Sequence, residues 1–219
     1  MTIHIINPNS LVHVTEGIAR AVAQIAAASP VPIQCHTLTD GPPGIETQAH
    51  VDGVVGPMLT LAKGLDRDAT AFVVACFSDP GLAALREQSR VPVLGIAESA
   101  VLTAMTMGQR FGIISILSKS IPRHMRYIGA MGVMDRLAGD LPLELGVQEL
   151  ADETRTFARL LEVGASLRDA YGAEVLILGC AGMTAFRARL EAQLKVKVVE
   201  PCQAAAAMAV GRVALARAR

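Results

Sequence analysis

Phe72-Val73-Val74-Ala75-Cys76 and Val175-Leu176-Ile177-Leu178-Gly179-Cys180 decide how this chain is read. Each is a short apolar run that ends on a cysteine and passes through a turn into an Ala/Leu-rich amphipathic stretch. Apolar runs of that length without alternation suit the strands of a parallel sheet, because helices cover both of its faces. The flanking segments repeat in the same order. Ile3-His-Ile-Ile-Asn7 corresponds to Phe111-Gly-Ile-Ile-Ser115, and Val91-Pro-Val-Leu-Gly95 to Val196-Lys-Val-Val-Glu200.

Outward from these runs, the periodicity predicts strands near 2–7, 31–38, 71–76, 91–95, 111–116, 141–147, 174–179 and 196–200. Helices are expected near 11–28, 47–64, 80–89, 97–107, 121–136, 150–171, 183–192 and 203–218. The last four strands repeat the first four, which makes the chain a duplicated α/β protein. Its expected lobes are 1–97 with 204–219, and 98–203. Ligands of open parallel sheets sit at the carboxyl ends of the strands. Two lobes related by a pseudo-twofold axis would turn those ends towards each other across a cleft, with Cys76 on one side and Cys180 on the other.

Composition narrows the function. Of 219 residues, 52% are apolar and 18% charged, with 20 basic and 20 acidic side chains, as in a well-packed soluble protein. There is no basic stripe and no Trp, and Phe and Tyr are few, so no nucleic-acid partner is expected. The start of the chain has no basic segment followed by a long apolar one, and the Ala-rich stretch from Ala204 to Ala216 is broken by Arg212. Neither a signal peptide nor a membrane span is expected, and a cytoplasmic location follows by default. The four cysteines form no CxxC pair and the five histidines have no metal-site spacing. No G-x-G-x-x-G follows the first strand and no P-loop occurs. No metal and no cofactor are expected.

Two opposed thiols fit one chemistry well. Inverting a stereocentre through a carbanion needs one group to remove a proton and a second to deliver one to the other face. Thiol and thiolate interconvert near neutral pH, and a helix N-terminus favours the thiolate. Backbone N–H groups at Phe77, Ser78, Ala181 and Gly182 stand where helices should start and can hold an enolate oxygen. The Ser78 hydroxyl, the Asn9 amide in the turn after the first strand, and Ser115 at the end of the fifth belong to the same rim.

Other residues carry plainer readings. Cys35 and Cys202 read as core fillers. Asn9 also suits a turn, and Asp79 a helix cap with Pro80 in the first helical turn. His4 reads as structural, and no local pattern marks His13, His36, His50 or His124 as a base.

The segments Asn7-Pro-Asn-Ser10, Ala75-Cys-Phe-Ser-Asp-Pro-Gly-Leu82, Ser120-Ile-Pro122 and Leu178-Gly-Cys-Ala-Gly-Met183 together resemble the aspartate/glutamate/hydantoin racemase superfamily, and most closely its hydantoin and allantoin branch. The resemblance covers nearly the whole chain. It implies two flavodoxin-like half-domains and cofactor-free proton transfer between Cys76 and Cys180, with Asn9 contacting substrate. It further implies a small-molecule substrate of the cyclic ureide type and a homo-oligomer. Ser115-Ile116 departs from the Thr-Thr common in relatives, which would alter the pocket wall. Amino-acid racemase chemistry, maleate isomerase-like chemistry and a two-lobed binding protein without turnover remain the competing readings.

Overall fold

The computed structural model of the protein describes residues 1–218. Its first part runs β1 (Thr2–Asn7), α1 (Val12–Ala28), β2 (Ile33–Thr37), α2 (Gln48–Gly53), α3 (Val55–Leu65), β3 (Ala69–Val74), α4 (Leu82–Gln88), β4 (Val93–Gly95) and α5 (Ile96–Met107). The second runs β5 (Phe111–Ser115), α6 (Ile121–Ala130), β6 (Leu137–Pro142), α7 (Glu153–Asp169), β7 (Val175–Leu178), α8 (Arg187–Leu194), β8 (Lys197–Val199) and α9 (Pro201–Arg217). Two four-stranded sheets result, ordered β2-β1-β3-β4 and β6-β5-β7-β8, with every neighbouring pair parallel. The duplicated two-lobed α/β architecture expected from the sequence is therefore present.

Burial explains the apolar runs. Ile3, Ile5, Val73, Val74, Ile113, Ile114 and all of Val175–Leu178 are sealed from solvent, as strands covered on both faces must be. The helices do not all stay with the strands that precede them. After β4, α5 packs on β5, β7 and β8 of the second sheet, and α9 returns from β8 to β1, β3 and β4 of the first. One apolar core consequently runs through both sheets, joining Ile5, Val73 and Ala75 to Ile114, Leu176 and Leu178. Residue 219, the last of the return segment assigned to the first lobe, lies outside the described residues. Among the described residues no helix is long and apolar enough to cross a membrane.

Three elements depart furthest from the expected spans. The sixth strand is Leu137–Pro142 rather than 141–147. Leu143, Leu145 and Val147 alternate and are buried, but they continue past the sheet: Leu143 N–H donates to the Ser115 carbonyl at 2.8 Å and Leu145 N–H to that of Ile116 at 3.0 Å. The helix expected over 47–64 divides at Val54, because Pro57 has no N–H for the Gly53 carbonyl and is accommodated only in the first turn of a new helix. The helix expected over 121–136 ends at Ala130, where Gly132 takes a left-handed φ of 72° and Val133 N–H bonds back to the Ile128 carbonyl.

Candidate active site

Both cysteines stand where the strands end. Beyond β3 the chain turns at Cys76, whose carbonyl accepts the Asp79 N–H at 2.9 Å. Asp79 and Gly81 both adopt positive φ, at 41° and 65°, so α4 begins only at Leu82 and Pro80 stays outside it. Beyond β7, Gly179 donates to the Ile114 carbonyl at 2.8 Å, and a Cβ at this position would meet that oxygen at 2.6 Å. Cys180 then caps a short 3-10 helix over Ala181–Phe186, its sulfur accepting the Gly182 N–H at 3.3 Å. The Ser78 N–H supports the Cys76 thiolate in the same way. Each thiol is thus faced by the amide two residues further on.

The two thiols line one small pocket that opens to solvent, and both are half-buried. Asn9, Phe77, Ser78, Ala181 and Gly182 join them in the lining, as do Ile45, Ile116 and Val147 on its apolar walls. Asn9 serves twice. Its Oδ1 accepts from Asn7 Nδ2 and Leu11 N–H, both at 3.0 Å, which fixes the turn, while its own Nδ2 donates to no described protein group. Ser115 lies behind the wall rather than on it. It is fully buried, and its hydroxyl donates to Asp140 and contacts Nδ1 of His124 at 3.1 Å.

Burial favours the protonated thiol form of both sulfurs. Burial pushes Cys76 up from 9.0 to about 12; the Ser78 N–H and Arg123 pull it back in part, against Cys180 and Asp79. Burial likewise pushes Cys180 up to about 11, with the Gly182 N–H opposing and Glu46 assisting. Desolvation therefore outweighs the helix-start amides, in contrast to the expectation of thiols poised near neutrality. Cys202, sealed at the start of α9, and Cys35 in β2 are pushed up by burial as well and lie outside the pocket lining.

Two lining residues carry no signal in the local sequence. Arg123 and His124 come from α6 of the second lobe. His124 Nδ1 lies 2.8 Å from Asp140 Oδ2, a buried pair, and its ring stands edge-on to Phe77 with centroids 5.2 Å apart. Asp79 is a cap, as expected of it, but of α5: its carboxylate accepts the Ala97 and Glu98 N–H groups at 3.0 and 2.9 Å and the Tyr127 hydroxyl at 2.7 Å. Among the described residues no group of three or more His, Cys, Asp and Glu side chains is placed to hold a metal ion.

Two parallel-sheet lobes that present a thiol each, from equivalent strand ends, into one shared pocket define a two-lobed α/β protein of the racemase class. Comparison with known proteins gives the same answer. The family model described as Asp/Glu/Hydantoin racemase matches residues 3–209. A hydantoin racemase from Rhizobium meliloti is 34% identical over 95% of this chain and 87% of its own length, and one from Paenarthrobacter aurescens is 33% identical over 98% and 92%. The solved structure of an allantoin racemase from Klebsiella pneumoniae superposes with a TM-score of 0.92, at 29% identity over 99% of this chain and 89% of that one. The chain belongs to the Asp/Glu/Hydantoin racemase family, a family of isomerases.

Proposed function

We propose that the protein racemises 5-substituted hydantoins or allantoin by moving one proton between Cys76 and Cys180. The observation that carries this reading is the shared pocket, into which equivalent strand ends deliver one thiol each, both faced by the amide two residues on. One cysteine as thiolate takes the ring C–H proton: an S–H bond forms, the C–H bond breaks and its electron pair passes into the adjacent carbonyl as an enolate. The free backbone N–H groups of the two turns and the Asn9 amide are suited to that oxygen. The other cysteine delivers its proton to the opposite face and is left as thiolate, ready for the reverse direction. No redox step and no co-reactant is needed.

The test follows enantiopure L- and D-allantoin and 5-alkylhydantoins in D₂O by polarimetry and by NMR of the ring C–H. Wild type should lose rotation while gaining deuterium, and Cys76→Ala and Cys180→Ala should each fall by about a thousandfold or more. Unchanged rotation of every substrate with folded wild type would remove the racemase reading. A cytoplasmic homo-oligomer is part of the same proposal, and a mass in solution equal to the 23.0 kDa of one chain would refute the oligomer.

A further inference from the structure

Arg123 is nine-tenths buried, at 9% exposure, and lines the same pocket as the two thiols. Neutral acceptors hold its guanidinium. Nη1 donates to the Lys119 carbonyl at 3.1 Å, and Nη2 to the Glu46 carbonyl at 3.3 Å and the Ser120 hydroxyl at 3.2 Å. Nε is buried and has no partner. The nearby carboxylate of Glu46 is engaged elsewhere, accepting the Val147 N–H at 3.0 Å and pairing with Lys119 at 3.5 Å. Among the described residues, no carboxylate forms an ion pair with Arg123.

Burial pulls the guanidinium down from its ordinary value, yet arginine remains charged at neutral pH. The acid that faces it across the pocket is Cys76, which burial keeps protonated, so the protein supplies no counter-charge there. A buried cation without a partner is costly. Three acceptors fix its orientation, and Ile45, Ile116 and Val147 wall the pocket that it lines. His124, the next residue, has Nδ1 engaged by Asp140 and Ser115, which leaves Nε2 free to join in.

We propose that Arg123 receives a carboxylate on the substrate, so that the substrates this enzyme prefers are hydantoins whose 5-substituent ends in a carboxylate. This rests on the racemase reading of the same pocket and names its substrate class. Had Arg123 instead served the Cys76 thiolate or the ring carbonyl, its loss would slow every substrate alike. A carboxylate receptor discriminates by charge.

The experiment compares 5-(2-carboxyethyl)hydantoin with 5-(2-carbamoylethyl)hydantoin, which match in shape and differ in charge. Wild type should favour the acid over the amide in kcat/KM by at least about tenfold, mainly through KM. Arg123→Gln should collapse that ratio by about tenfold or more, and Arg123→Lys should keep its direction. Equal wild-type rates, or a preference for the amide, would overturn the proposal, and this comparison decides even where the glutamine variant does not fold. If wild type racemises only the amide, the receptor fails and the racemase reading stands. If it racemises neither, and allantoin and the 5-alkylhydantoins are also unchanged, that reading fails; calorimetric titration with the same pair then decides the receptor, and acid binding no tighter than amide overturns it.

Discussion

A thiol in the Cys76–Cys180 pocket becomes a base only on losing its proton, and burial sets where that happens. With Cys180 near 11 and Cys76 near 12, the thiolate fraction at neutral pH is small and grows tenfold with each pH unit below those values. In the proposed cycle one cysteine must start as thiolate, so kcat/KM should climb through the alkaline range instead of levelling off at pH 7 to 8. Thiolate absorbance in the ultraviolet, followed in the same samples, should rise over the same range. A plateau in both near pH 8 would mean that the free pocket is wetter than its lining implies. At this scale the sequence was legible where the residue type alone is distinctive. A cysteine at a repeated strand end is rare enough to notice, and its neighbouring amides follow from the turn. Arg123 was illegible because α6 is amphipathic and also carries Arg126, and a cation on such a helix reads as solvated. Only the packing of α6 against the loop holding Glu46 turns it inward. The place of Ser115 at a strand end suggests pocket wall, but nothing local shows that His124 and Asp140 draw its hydroxyl behind that wall.

Among the elements, α5 depends most on a distant residue. Its start has no cap in its own sequence, since Gly95 occupies that place, and Asp79 supplies one from the turn after β3. The same carboxylate holds Tyr127 of α6, so one side chain ties the Cys76 turn to two helices. Asp79→Ala leaves two helix-start N–H groups and a half-buried hydroxyl without the carboxylate and should destabilise the fold by about 2–4 kcal/mol in urea unfolding. A loss within about 0.5 kcal/mol would show that water replaces the carboxylate without penalty. Alternating and continuous apolar runs made every strand visible in the sequence, but their ends less so. Leu141, Leu143, Leu145 and Val147 have the period of a strand, yet Leu145 bonds to Ile116 beyond β5 and Val147 to the Glu46 carboxylate, while the true edge strand begins at Leu137 with the weak formers Gly139 and Asp140. Period reports burial on alternate sides. It does not report which partner the backbone finds.

At the scale of the molecule, each sheet is completed by a helix that the other sheet's strands lead into. The βα alternation shows that a helix follows β4 and another follows β8. Which sheet each covers is set by the crossing of α5 and α9, which lie against one another and seal a core common to both lobes. That exchange is also what brings the ends of β3 and β7 to a common pocket, since lobes joined only by a linker would be free to drift apart.

The exchange has a consequence for the gene as well as for the protein. If the reading frame were broken in the link between α5 and β5, after Gln109, neither polypeptide would own the whole cover of its hydrophobic sheet; each would carry one covering helix of the other. Such halves, made as separate chains in one cell, should find each other and restore turnover, while either half alone should aggregate. A duplicated ancestor built in this way would have been a dimer that traded its terminal helices, and fusing the two copies would have made that trade permanent.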